Sequence, residues 1–125
     1  MQYVFKIMNS PLNWKEARQY CLTAGGDLAS ILSLEEQLQI NIMTGSHGRY
    51  AIGLNDRGAE DTFVWSDGNA VNFTNWHNGE PNDAGGEDCT AVVYGFLGGK
   101  MWYGHWNDYP CLMKLKAICK IPLGK

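Results

Sequence analysis

The sequence predicts an α+β domain, and three observations carry that prediction: two capping-box patterns that open helices early in the chain, β-rich runs at both termini and late in the chain, and a long polar segment between them. A chain of 125 residues has the commonest size of one domain and contains no Pro-, Gly- and Ser-rich stretch that would act as a linker. Residues 1–125 are therefore expected to form a single unit. With 45% hydrophobic residues, 12% aromatic residues and five tryptophans, it can build a core, so disorder and fibrous repeats are poor readings. The formal charge is −3 and the Lys and Arg residues are scattered, which argues against a nucleic-acid partner. No apolar run reaches the ~18 residues that would suggest a membrane span, so no membrane insertion is expected.

Tyr3, Phe5 and Ile7 alternate with Val4 and Lys6, the period of a strand with a buried face. Asn13, with Glu16 three residues on, opens a first helix whose apolar positions are Trp14, Ala17, Cys21 and Ala24, and Gly25-Gly26 stops it. Ser33 with Glu36 opens a second, whose predicted apolar stripe is Leu34, Leu38 and Ile42. Ala51-Ile52-Gly53-Leu54 reads as a short buried strand. From Asn55 to Asp88 the chain is mostly Asp, Glu, Asn and Gly, interrupted by Phe63, Trp65, Phe73 and Trp76. A loop of that length pinned by aromatics points to function rather than disorder. Strands are expected again at Cys89–Tyr94, at Lys100–Tyr103 and around Lys116–Ile121. Asn72-Phe73-Thr74 is a formal glycosylation sequon that also suits a strand.

The cysteines Cys21, Cys89, Cys111 and Cys119 form no CxxC pair, against a zinc ribbon or a thioredoxin-like site. An even count in a small loop-rich domain favours two disulfides made in an oxidising compartment, hence a secreted or extracellular protein, although residues 1–6 lack the sections of a secretory signal. Three pairings are open on the residues alone. Pairing Cys21 with Cys119 would close a loop of roughly 100 residues, worth about 4.7 kcal/mol in the chain-entropy model. Cys89 with Cys111 would close a shorter one, worth about 3 kcal/mol, and would bring two acidic stretches together.

Those stretches carry the chemistry. Residues 80–88 read Glu-Pro-Asn-Asp-Ala-Gly-Gly-Glu-Asp, and Asn107-Asp108 follows nineteen residues after Asp88. Such oxygen density suits calcium, which takes ~6 to 8 oxygen ligands in irregular geometry. Magnesium wants a stricter octahedron, and zinc wants His or Cys. Taken alone, the pattern also suits a solvated acidic loop.

Glu80-Pro81-Asn82, then Glu87-Asp88-Cys89, then Trp106-Asn107-Asp108 ahead of Cys111, together resemble the sugar-site signature of C-type lectins of the mannose type. Ala51–Leu54 resembles the family's buried WIGL strand, and Trp65-Ser66-Asp67-Gly68 its mid-domain turn. The resemblance covers nearly the whole chain. It implies a C-type lectin fold with two helices, small antiparallel sheets and a long calcium-binding loop, and bridges Cys21–Cys119 and Cys89–Cys111. It implies a primary Ca²⁺ held by Glu80, Asn82, Glu87, Asn107 and Asp108, the same residues meeting sugar, with Pro81 cis. An auxiliary Ca²⁺ is implied at Asp56, Glu60, Asp83, Glu87 and Asp88. The order Glu-Pro-Asn goes in the family with mannose, glucose, N-acetylglucosamine and fucose rather than galactose, and implies glycan or microbe recognition. Ala51 departs from the family's usual Trp, so looser packing is expected there, and the family's extra N-terminal hairpin is absent. Trp102, Tyr103 or His105 could stack on a further sugar ring, against the blander reading that they fill core or loop space.

Two rival functions belong to other classes. Paired carboxylates could serve a glycosidase and a metal could activate water. However, the acidic residues are needed as ligands, no Ser-His-Asp or Cys-His set is visible, and His47, His77 and His105 have no obvious shared site, so no enzyme is expected. A non-sugar member of the same fold, binding protein, ice or mineral, is the other. A single shallow sugar site would gain avidity from clustered glycans or from oligomers, and with no coiled coil specified a homodimer is the simplest assembly.

Overall fold

The chain alternates strands and helices as β1 (Tyr3–Leu12), α1 (Trp14–Thr23), β2 (Asp27–Leu28), α2 (Leu34–Thr44), β3 (Gly48–Asn55), β4 (Val64–Trp65), β5 (Cys89–Leu97), β6 (Lys100–Tyr109) and β7 (Leu115–Pro122). These come from a computed structural model that describes residues 2–45, 47–81 and 86–124. The strands join into one seven-stranded sheet with the path β1-β7-β3-β5-β6, β2 pairing with β7 and β4 with β3. All pairs are antiparallel except β3 with β7.

Helix α1 begins where its cap dictates. The Asn13 side chain accepts from the Glu16 backbone N–H at 2.9 Å, and the Glu16 carboxylate accepts from the Asn13 N–H at 3.2 Å, which satisfies two of the helix's orphan donors. Trp14, Ala17 and Cys21 face the core as expected. Gly25, at φ +97°, carries the chain out of the helix, and a side chain at Gly26 would collide with the backbone of β7.

Helix α2 corrects the sequence reading. Leu34, Leu38 and Ile42 are 59%, 52% and 85% exposed, and the buried residues are Gln37, Ile40 and Thr44. The reason is polar. The buried Trp106 donates its indole N–H to Gln37 at 2.8 Å, Tyr94 donates its hydroxyl to Asn41 at 2.6 Å, and Tyr50 donates to the Thr44 carbonyl at 3.0 Å. Aromatic groups buried with a polar tip need an acceptor, so the helix turns its amide-bearing face inward. Its cap is also half a box, since Glu36 accepts from the N–H of Leu32 rather than of Ser33.

The sheet is covered on both faces. Along β5, Ala91 and Val93 join one core cluster with Trp14, Cys21 and Trp102, while Val92 and Tyr94 join another with Ile40, Ile52 and Trp106. That alternation is the strand period, and it explains why the run from Cys89 to Tyr94 is apolar on both sides. Ala51 is fully buried in the first cluster, beside the family of residues that includes Trp14. Two disulfides tie the ends: Cys21–Cys119 joins α1 to β7 and Cys89–Cys111 joins the start of β5 to the turn after β6, with Cα–Cα distances of 5.3 and 5.2 Å.

The long polar segment is held by aromatic edges. Trp65, Trp76 and Phe73 meet the Trp106 ring edge-on at 5.5, 5.7 and 6.0 Å, and Phe63 meets Trp76 at 5.1 Å. No strand forms at residues 72–74; Phe73 packs inward while Asn72 and Thr74 are exposed.

Candidate functional site

Residues 75–77 run beside β6 and deliver the acidic segment to it. The Trp106 N–H donates to the Asn75 carbonyl at 2.8 Å and the His77 N–H to the Trp106 carbonyl at 3.1 Å, with Trp76 and Trp106 paired in parallel. The Glu80 N–H then turns back onto the His77 carbonyl at 2.9 Å, and the Glu80–Pro81 bond is cis, as the resemblance implied. Asn107 and Asp108 sit on β6 opposite Ala91 and Thr90 of β5.

This brings carboxylates together. Asp108 is fully buried, and the Glu80 side chain is 6% exposed. The Glu80 carboxyl is pushed up to about 7, first by burial, then by its hydrogen bond with Asp108 and the charge of that group, with Glu87 adding to the push and Lys100 opposing it. Burial and like charge both disfavour the ionised form, so this cluster is poised for a cation. Asn82, the remaining residue of the expected primary set, lies outside the described residues.

A second acidic group lies beyond the end of β3. Oxygens of Asp56, Glu60 and Asp88 lie within 4.8 Å of one another. The Asp56 N–H donates to the Asp88 carbonyl at 3.0 Å, and Asp56 accepts the Asp61 N–H on Oδ2 at 2.9 Å. Its other oxygen, Oδ1, is buried with no hydrogen-bond partner among the described residues. An acceptor left without a donor in a buried place costs about 1 to 3 kcal/mol, which a bound cation would relieve. Asp83 lies outside the described residues, and Glu87 is half-buried between the two groups in sequence. The donor atoms in both places are oxygens, which fits a hard ion such as calcium rather than zinc.

Around the first cluster the structure decides readings that the sequence left open. Trp102 is buried and donates its indole N–H to the Leu97 carbonyl at 3.0 Å, so it is core and not a platform for sugar. Tyr103 is 68% exposed. His77 and His105, separated by 28 positions in the chain, do share a place: their rings lie 5.2 Å apart, and His77 packs on Trp102 at 4.2 Å. The adjacency of residues 75–77 to β6 creates that pair, and spacing along the sequence could not have revealed it. Burial, then the neighbouring His77, lowers the His105 pKa, which favours the neutral ring. Lys100 was missed as well; its Nζ lies 3.8 Å from Glu80 Oε2, and nothing in a single scattered lysine signalled the contact.

Two helices packed against a mixed sheet, with a long aromatic-pinned loop delivering carboxylates to one strand, define a C-type lectin fold. The chain belongs to the family of the lectin C-type domain, whose model matches residues 10–121. Among curated proteins it is 38% identical over 120 residues to the rat (Rattus norvegicus) versican core protein, a match that takes in 93% of this chain and 4% of that one. It spans 3–8% of the lengths of such relatives. Among solved structures it is similar to the cow C-type carbohydrate-recognition domain of CD23 determined in the presence of a GlcNAc2Man3 oligosaccharide, at 31% identity and TM-score 0.87, covering all of this chain and 92% of that one. It is equally similar in fold to a calcium-independent type II antifreeze protein, at 30% identity and TM-score 0.86, covering 98% and 88%.

Proposed function

We propose that this domain is a calcium-dependent lectin of extracellular glycans, binding neighbouring equatorial hydroxyls of mannose-type sugars and performing no catalysis. The observation that carries the reading is the convergence of Glu80, Glu87 and Asp108 in a partly dry place, where Glu80 is raised to about 7 by burial and by its acidic neighbours. Glu80, Asn82, Glu87, Asn107 and Asp108 would hold the primary ion; Asp56, Glu60, Asp83, Glu87 and Asp88 would hold an auxiliary one that ties the loop to the end of β3. Bound calcium would supply open coordination for a pair of vicinal hydroxyls. The protein's own part is orientation: carboxylates of Glu80 and Glu87 accept the hydroxyl protons, and the amides of Asn82 and Asn107 donate to the hydroxyl oxygens. Aromatic anchoring around Trp106 holds residues 75–77 against β6 before sugar arrives, which lowers the ordering cost of binding.

The test is titration calorimetry with mannose and galactose, in calcium and in chelator. Mannose should bind in calcium alone and galactose poorly; mannose binding that ignores chelator, or a reversed sugar order, sinks the reading. A second reading, binding of an ordered surface such as ice, draws support from the likeness to the calcium-independent antifreeze protein. Thermal hysteresis in chelator would favour it. The acidic set present here speaks against a calcium-independent mode, because clustered buried carboxylates are costly without a cation to pair them.

A further inference from the structure

The side chain of Lys100 crosses the ring of Trp102, its Nζ 5.5 Å from the centroid, and ends 3.8 Å from Oε2 of Glu80 and 3.4 Å from the Asn78 carbonyl. Trp102 is fixed beneath it by the indole hydrogen bond to Leu97 and by the packing of His77. The ammonium is thus carried on a rigid ring to the edge of the proposed sugar site. Both polar contacts are long for an ammonium hydrogen bond, and the Lys100 side chain is 42% exposed, so N–H donors remain directed at solvent.

Resting on the sugar-binding reading above, we infer that Lys100 selects saccharides bearing an anionic substituent, a sulfate ester, phosphate monoester or carboxylate, beside the hydroxyls seated at Glu80. A hydroxyl donating to Glu80 Oε2 sits about 2.7 Å from that oxygen, hence within about 6.5 Å of Nζ. A charged group on a neighbouring ring carbon closes most of that gap. Without Lys100 an incoming anion would meet only the negative field of Glu80, Glu87 and Asp108 beneath the rim. The ammonium offsets part of that negative charge at the rim while leaving the hydroxyl-binding carboxylates in place.

The experiment is titration of the domain, in calcium, with mannose, mannose 6-sulfate, mannose 6-phosphate and glucuronate. The expected result is an affinity for at least one anionic sugar about threefold above that for mannose, as suits a half-exposed ion pair, with the best arm identifying the substituent. Lys100→Gln should bring that ratio to one and Lys100→Arg should keep it. As an independent readout, acylation of Lys100 followed by mass spectrometry should be slowed more by the preferred anionic sugar than by mannose. A wild-type ratio of one with mannose still bound overturns this inference alone, as does a ratio that survives Lys100→Gln. Failure to bind any of the sugars overturns the lectin reading and this inference together.

Discussion

The two acidic groups draw on the same donor chemistry, carboxylate oxygens, and are placed in different surroundings. Around Asp108 that carboxylate and the Glu80 side chain are buried, hydrogen-bonded to one another and faced by a lysine. Around Asp56 one carboxylate is buried with an oxygen that has no hydrogen-bond partner among the described residues, while Glu60 is exposed. The contrast teaches that donor type sets which ion can bind, whereas burial and neighbouring charge set what the bound ion is for. In our reading the first group meets the ligand and the second organises the loop.

Breaking the first group should have the largest effect. Asp108→Ala leaves the acidic partners without their buried companion and should cost at least about 30-fold in mannose affinity by calorimetry. Next is the ion itself: at 100 times its dissociation constant, calcium should stabilise the native state by about 2.7 kcal/mol, read as a rise in melting temperature that chelator reverses. Asp56→Asn sharpens the comparison, since it should remove a large part of that stabilisation while changing mannose affinity at saturating calcium by only a few-fold. Equal losses of stability and affinity would mean that the two groups act as one site. Glu60→Gln, at an exposed position, should shift the melting temperature least, corresponding to under about 0.5 kcal/mol.

Much of this was legible before the fold. The cap of α1, the buried face of that helix and the strands at Tyr3, Ala51 and Cys89 follow from local pattern, because capping and periodicity depend on residues within a turn or two. The α2 stripe was misread because its inner face serves the polar tips of Trp106, Tyr94 and Tyr50, which lie far away in sequence. The same distance hid Lys100 and the pairing of His77 with His105.

From the sequence by itself came the donor chemistry: carboxylates and amides in two stretches, four cysteines, and aromatics spaced along the loop between. Which of those donors are dry, which meet a cation on the protein, and which helix face turns inward were decided only when β5 and β6 paired and the loop closed on Trp106. Desolvation and charge proximity are properties of three-dimensional neighbours, and no residue carries them alone.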